Sequence, residues 1–154
     1  ISVMSGEQDR IDIAQAAAQQ LRETGINCTV EIPAQMDWGG QMACLIGWGS
    51  PFDADDHTYK VFGTDKGANY SSYSNEKVDE YLSLARQSDD PEVRKEYYGK
   101  FQEELAEDPA YAFICYIDAN YVADSGIQGI SKDTVLGHHG VGIFWNIQDW
   151  TMTE

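Results

Sequence analysis

The order of apolar and polar residues predicts strands alternating with helices. Apolar residues recur at helical spacing from Ile11 to Leu21, and Gly25 follows as a C-terminal cap. A short apolar run, 1–4, precedes this helix, and residues 26–32 alternate between apolar and polar side chains behind it. Strand, helix and strand in this order predict a βαβ unit.

The later part of the chain predicts further elements of both kinds. We expect helices near 9–24, 76–88 and 91–107 and about one helical turn at 57–62; Ser74-Asn75 and Asp90-Pro91 supply the expected helix starts. Central strands are expected at 26–32, 43–48 and 112–117, and short strands at 120–123, 127–130 and 144–147. Because 112–117 is continuously apolar, it is predicted to be buried on both faces.

A pair of glycines, Gly39-Gly40, separates two of the predicted strands. A parallel crossover needs about a dozen residues, whereas two glycines make a tight turn, which would leave neighbouring strands antiparallel. The alternative is that a helix has been deleted here and bridged by the glycines. The sequence leaves both possibilities open.

Charge and cysteine content narrow the class of protein. The chain has 154 residues and a formal net charge of −16, which argues against binding nucleic acid or anionic lipid. It begins at Ile1 rather than Met, so we expect that an upstream part is missing. Cys28, Cys44 and Cys115 lie in apolar runs and are expected to be free and largely buried.

The stretch 43–57 is the candidate binding edge. A predicted strand breaks at Gly47, Gly49 and Pro51, and then presents aromatic, hydroxyl and carboxylate side chains. In open α/β sheets, ligands bind beyond the carboxyl ends of strands. The alternative is that the aromatic residues, Trp48 and Phe52, only close the end of the core.

The acidic loop that follows offers a second chemistry. Asp53, Asp55, Asp56 and His57 could bind a hard cation, although their spacing differs from that of an EF-hand. A solvated loop or the start of a helix explains the same carboxylates. Adjacent histidines, His138-His139, point in different directions on any regular element and do not predict a shared metal. No nucleophile is paired with a base, so we predict no catalytic residue, metal site or cofactor.

Together the elements resemble the solute-binding receptors of ABC importers that include the oligopeptide-, dipeptide- and nickel-binding proteins. The resemblance is carried by residues 13–26, 43–53, 73–80, 90–94 and 106–111. It implies a periplasmic-binding-protein-like (type II) α/β fold with a mixed sheet flanked by helices, in which 1–154 form a single domain, the later lobe of a bilobal receptor. The family carries a helix between the positions that match Trp38 and Gln41, so the resemblance favours a helix deletion or chain break at 39–40.

The resemblance also implies a function and partners. The expected function is capture of a peptide or metal-chelate solute for import, outside the cytoplasm, in the periplasm or on a lipid anchor at the outer face of the cell membrane. The expected partners are the missing N-terminal lobe and the membrane permease, and the exposed cleft face could also drive self-association. Residues 48–53 are most like the nickel-chelate branch, in which a Trp and an aromatic residue four positions later line the pocket. Peptide-binding relatives often have an Asp at the position of Pro51, so the resemblance argues against simple dipeptide binding. The ligand-binding residues so implied are Trp48, Gly49, Ser50, Phe52 and Asp53.

Two other functions remain open at this point. The chain could be an α/β hydrolytic enzyme that uses the acidic loop 53–56, or an isolated structural domain without its own ligand. Exposure of Trp48 and Phe52 on an open face would favour the lobe. A deep pocket with a carboxylate would favour the enzyme.

Overall fold

The computed structural model describes residues 1–40, 42–49, 53–117, 120–131 and 142–153. These residues form two compact units, which divide between Gly47 and Trp48 and are described separately. The single-domain organisation and its boundaries therefore stay predictions. No helix in the described ranges is both long enough and apolar enough to cross a membrane.

The first unit contains one helix and three extended segments. Helix α1 spans Gln8–Glu23, as expected from its periodicity, and its inward residues pack with Val3. Ser2 forms parallel bridges with both Glu31 and Cys44, so the first extended segment lies between the other two. Four backbone hydrogen bonds of 2.9–3.0 Å hold this arrangement, from Ser2, Val3, Glu31 and Leu45. The predicted βαβ pairing of the first two segments is confirmed.

The glycine pair forms a tight turn, but the antiparallel pairing considered above is wrong. The Gly40 N–H donates to the Asp37 carbonyl oxygen over 3.2 Å. A Cβ at position 40 would displace the Asp37 carboxylate. The segments on either side do not pair with each other, because each pairs in parallel with Ser2. The turn thus lies within a connection that passes from one side of the first segment to the other.

Three helices build the core of the second unit. Helix α2 spans Asp55–Phe62, α3 spans Glu76–Arg86, and α4 spans Pro91–Glu107. Both predicted caps are present: Asn75 accepts from the backbone of Lys77 and Val78, and Asp90 accepts from Glu92. The core lies between α3 and α4 and consists of Val78, Leu82, Ala85, Tyr98, Phe101 and Leu105.

The regular sheet of the second unit is small. Strands β1 (Ile127–Gln128) and β2 (Thr151–Met152) pair antiparallel. A 3₁₀ helix at Gly142–Asp149, kinked at Asn146, occupies the place of the strand predicted at 144–147. The Asn146 side chain holds this helix in place: it donates to the Gly129 carbonyl and accepts from the Trp150 indole N–H. These bonds stabilise a compact turn rather than the backbone pairing of a strand.

Residues 112–117 contradict the predicted burial. They form no strand, and their large side chains are exposed, with Phe113 at 69% and Tyr116 at 101% of full accessibility. Burial on both faces requires neighbouring chain, and the described residues place none against this run. For the same reason Cys115 is exposed rather than buried, while Cys28 and Cys44 are partly buried; all three cysteines are free, as expected.

Candidate functional site

The aromatic side chain at the centre of the predicted binding edge is exposed. Trp48 follows directly on the extended segment that pairs with Ser2, and its side chain keeps 39% of its full accessibility. Gly49 is half-buried beside it. The remaining predicted site residues before Asp53 lie outside the described residues, namely Ser50, Pro51 and Phe52. Of the two aromatic residues whose exposure would favour a binding lobe, only Trp48 can therefore be assessed.

Two rings of the second unit contact the Trp48 indole. The Tyr70 ring is stacked on it, with centroids 6.0 Å apart and planes inclined by 14°. The His57 ring meets it in a T-shaped arrangement, with centroids 5.6 Å apart and planes inclined by 66°. Offset stacks and T-shaped pairs are the favourable geometries for aromatic rings. Among the described residues the indole thus belongs to a cluster of three rings, which we call the Trp48 cluster (Trp48, Tyr70 and His57).

The carboxylates of the acidic loop are used to anchor helix α2. The Arg94 guanidinium donates to both oxygens of Asp53 over 2.8 and 2.9 Å, and Arg86 Nε lies 3.1 Å from Asp55 Oδ2. The Tyr98 hydroxyl donates to Asp55 Oδ1 over 3.3 Å. These contacts tie the start of α2 to α3 and α4. They do not favour a hydrolytic role, because the carboxylates of Asp53 and Asp55 are both engaged by arginines.

His57 and Asp56 are close but do not form a hydrogen bond. His57 Nδ1 lies 3.3 Å from Asp56 Oδ2, yet the geometry is not that of a hydrogen bond, and this buried nitrogen has no partner among the described residues. Asp56 is instead bonded by Lys60 over 3.2 Å. Within the part of the chain that the structure describes, no three or more His, Cys, Asp or Glu side chains are grouped as a metal site.

The environment of Asp53 lowers the pKa of its carboxyl group. The main cause is the Asp55 backbone N–H, which donates to Asp53 Oδ1 over 2.8 Å; Arg94 adds to the effect, and partial desolvation opposes it. A lowered pKa in the folded state means that the ionised form stabilises the fold above the unfolded pKa, near 4. That stabilisation is lost as the pH falls through the lower folded pKa.

We therefore expect Asp53→Asn to destabilise the chain at neutral pH and to matter progressively less below about pH 4. Urea unfolding midpoints of the variant and the unsubstituted chain, measured from neutral to acid pH, check this. Asp89→Asn is the matched control, because Asp89 is exposed and its side chain has no hydrogen bond or ion pair to another described residue. A difference for Asp53→Asn that stays constant with pH would contradict the assignment.

The sequence predicted Trp48 and Asp53 as site residues, but it did not predict that Tyr70 contacts Trp48. Tyr70 lies in a loop rich in glycine and tyrosine, and its spacing from Trp48 matches no motif. His57 was considered only as a cation ligand. The one available signal was the aromatic enrichment of the loop, which does not specify a ring partner.

The fold combines helices with extended segments, and an exposed aromatic residue, Trp48, directly follows one of these segments. The comparisons with solved structures specify the class. NikZ from Campylobacter jejuni, solved in complex with Ni(L-His), is 34% identical, with a TM-score of 0.76 over 97% of this chain and 32% of its own. The oligopeptide-binding protein AppA from Bacillus subtilis, solved with a nonapeptide, shares the fold at 22% identity, with a TM-score of 0.73 over 99% of this chain and 31% of its own.

One curated relative is also similar in sequence. Protein XP55 of Streptomyces lividans is 33% identical over an alignment of 134 residues, and the match covers 82% of this chain and 25% of that protein. No family profile matches. The chain thus spans about a quarter to a third of the length of these relatives. The expected resemblance and fold class are confirmed: the chain has the type II periplasmic-binding-protein fold and is similar over nearly its whole length to part of an oligopeptide- and nickel-binding type solute-binding protein.

Proposed function

We propose that this chain is the later lobe of the extracytoplasmic receptor of an ABC importer, and that it captures a peptide or metal-chelate solute without chemical conversion. The single observation that carries the proposal is the exposure of Trp48 at the end of the segment paired with Ser2. A large aromatic side chain that is held by neighbouring rings and still open to solvent offers a flat wall to a ligand.

The proposed ligand-binding residues are those implied by the resemblance. Trp48 and Phe52 supply apolar walls, while Ser50 and the backbone N–H groups of Gly49 and Ser50 supply hydrogen bonds. Asp53 would contribute at the rim: its side chain keeps 61% of its accessibility although Arg94 binds it. Its role is then to fix the loop that follows the walls, with one face of the carboxylate open to solvent.

The similarity to NikZ favours a metal chelate over a free peptide as the first ligand to test. NikZ is the more similar of the two solved structures in sequence, and it was solved with a nickel–histidine complex. Pro51 stands where peptide-binding relatives often have an Asp, so a partner for a peptide α-ammonium is missing at that position. The partners proposed with this function are the other lobe and the membrane permease. The proposed location is the periplasm, or a lipid anchor at the outer face of the cell membrane.

We expect the chain to bind nickel–L-histidine weakly, and Trp48→Ala to weaken this binding by about 5- to 150-fold, because a fully buried aromatic wall contributes about 1–3 kcal/mol. Isothermal titration calorimetry on the whole chain measures both affinities, with a nonapeptide as the second probe. Trp38→Ala is the matched control, since Trp38 is exposed to the same extent, 38% against 39%. Equal weakening by the two substitutions, or heat from neither probe, would contradict the proposal.

A further inference from the structure

The Trp48 cluster has more order than an exposed tryptophan requires. A lone indole at the surface rotates about two side-chain bonds, and its ordering on binding costs free energy. Here a ring lies along one face of the indole and another ring meets it at a steep angle. The indole is therefore restrained before any ligand arrives, although more than a third of its surface remains open.

We infer that Tyr70 and His57 are positioning residues for Trp48, which hold its indole so that one face is presented to the ligand. This inference rests on the proposed function and extends it to two residues that the resemblance does not include. Because Tyr70 is stacked against one face of the indole, a ligand cannot use that face. It follows that the ligand stacks a flat or apolar group on the other face of Trp48.

The anchoring of α2 explains how His57 can act in this way. His57 belongs to the first turns of α2, and the start of that helix is fixed by the Asp55 contacts to Arg86 and Tyr98. Only 18% of the His57 side chain is accessible, so the ring itself has little freedom. The Asp55 carboxylate thus affects Trp48 indirectly, because it fixes the helix from which His57 contacts the indole.

The ring of His57, rather than its nitrogen chemistry, carries this role. Nδ1 makes no hydrogen bond to a described residue, so a phenyl ring can replace the imidazole without breaking one there. His57→Phe and Tyr70→Phe therefore preserve the ring contacts, whereas His57→Ala and Tyr70→Ala remove them. These four substitutions separate positioning by the rings from any role of the polar atoms.

The test follows Trp48 directly in the intact chain. The four tryptophans are labelled with 5-fluorotryptophan, which gives four fluorine resonances, and Trp48→Phe identifies the one from Trp48. Relaxation of this resonance by a soluble nitroxide reports how open and how ordered the indole is. Affinity for nickel–L-histidine is measured on the same proteins. Melting curves confirm that each variant is folded.

We expect both alanine variants to increase nitroxide relaxation at Trp48 while the other three resonances keep theirs. Chelate affinity should fall by about 2- to 10-fold, as aromatic pair energies of this kind indicate. Both phenylalanine variants should keep the Trp48 relaxation and the chelate affinity of the unsubstituted chain. Unchanged relaxation in the alanine variants would overturn the inference, and so would changed relaxation with unchanged affinity.

Failure of the proposed function gives a different result. If the unsubstituted chain binds no chelate but the alanine variants still raise relaxation at Trp48, the ring restraint is supported and the ligand assignment is overturned. If His57→Phe raises the relaxation at Trp48 while Tyr70→Phe leaves it unchanged, the imidazole nitrogens matter, and the positioning role of the His57 ring is overturned.

Discussion

Leu82→Ala is expected to lower the free energy of unfolding of the second unit by about 2–5 kcal/mol, the range for a buried leucine truncated to alanine. Leu82 is completely buried between α3 and α4, where it packs with Val78 and Phe101. The loss combines the transfer energy of the removed methyl groups with the cavity that they leave. Urea unfolding followed by circular dichroism measures it.

Leu84→Ala provides the control on the same helix. Leu84 is only partly buried, and it is not part of the core between α3 and α4. Because both substitutions remove the same atoms and have the same effect on helix propensity, their difference isolates the contribution of burial. Equal losses from the two variants would show that the core does not lie where the structure places it.

Ile114→Lys is expected to shift the chain from self-associated species to monomer. Residues 112–117 contain no charge, proline or glycine, and such apolar runs of high strand propensity associate when they are exposed. Ile114 and Tyr116 are exposed, and the run takes part in none of the backbone hydrogen bonds between described residues. A lysine in the middle of the run opposes strand pairing between copies.

The choice of lysine makes this test specific. It reduces the net charge from −16 to −15, so a general increase in charge repulsion cannot explain a gain in monomer. Gln20→Lys on the exposed side of α1 makes the same change in charge away from the run. Sedimentation velocity in the presence of a reductant, which prevents disulfides through Cys115, compares the three proteins. Similar association of all three would contradict the expectation.

The helices were predictable from sequence because their signals are local. The apolar spacing of α1, α3 and α4, together with the caps Asn75 and Asp90, depends on residues within each helix. Side-chain capping and amphipathic spacing act over a few residues, so no tertiary partner is needed to recognise them.

The strands were less predictable because their burial depends on distant chain. The run 112–117 indicates a strand buried on both faces, yet apolar composition does not specify which neighbours cover it. At 144–147 a short apolar run forms a 3₁₀ helix, because Asn146 bonds to Gly129 and Trp150. Short apolar runs are ambiguous between strand and helix by periodicity alone.

The position of the candidate site stays a prediction, and the contacts within it could not be predicted from the sequence. A predicted strand broken by glycines indicated Trp48, and the family resemblance supplied its expected role. The pairing of Asp53 with Arg94 joins residues far apart in sequence, and nothing in the spacing indicates it. The same holds for Tyr70 and Trp48, which meet only because the loop folds back.

The parallel bridges of Ser2 also constrain the order in which the first unit can form. The middle segment of the three is synthesised first, and its two neighbours follow on either side of it, the second only after residue 45 has been added. Helix α1 and the bridge to Glu31 can form earlier, since they need only the preceding chain. A chain cut short in the turn at 37–40 would therefore keep the pairing of the first segment with Glu31 but leave its other edge unpaired, and an unpaired edge favours misassembly.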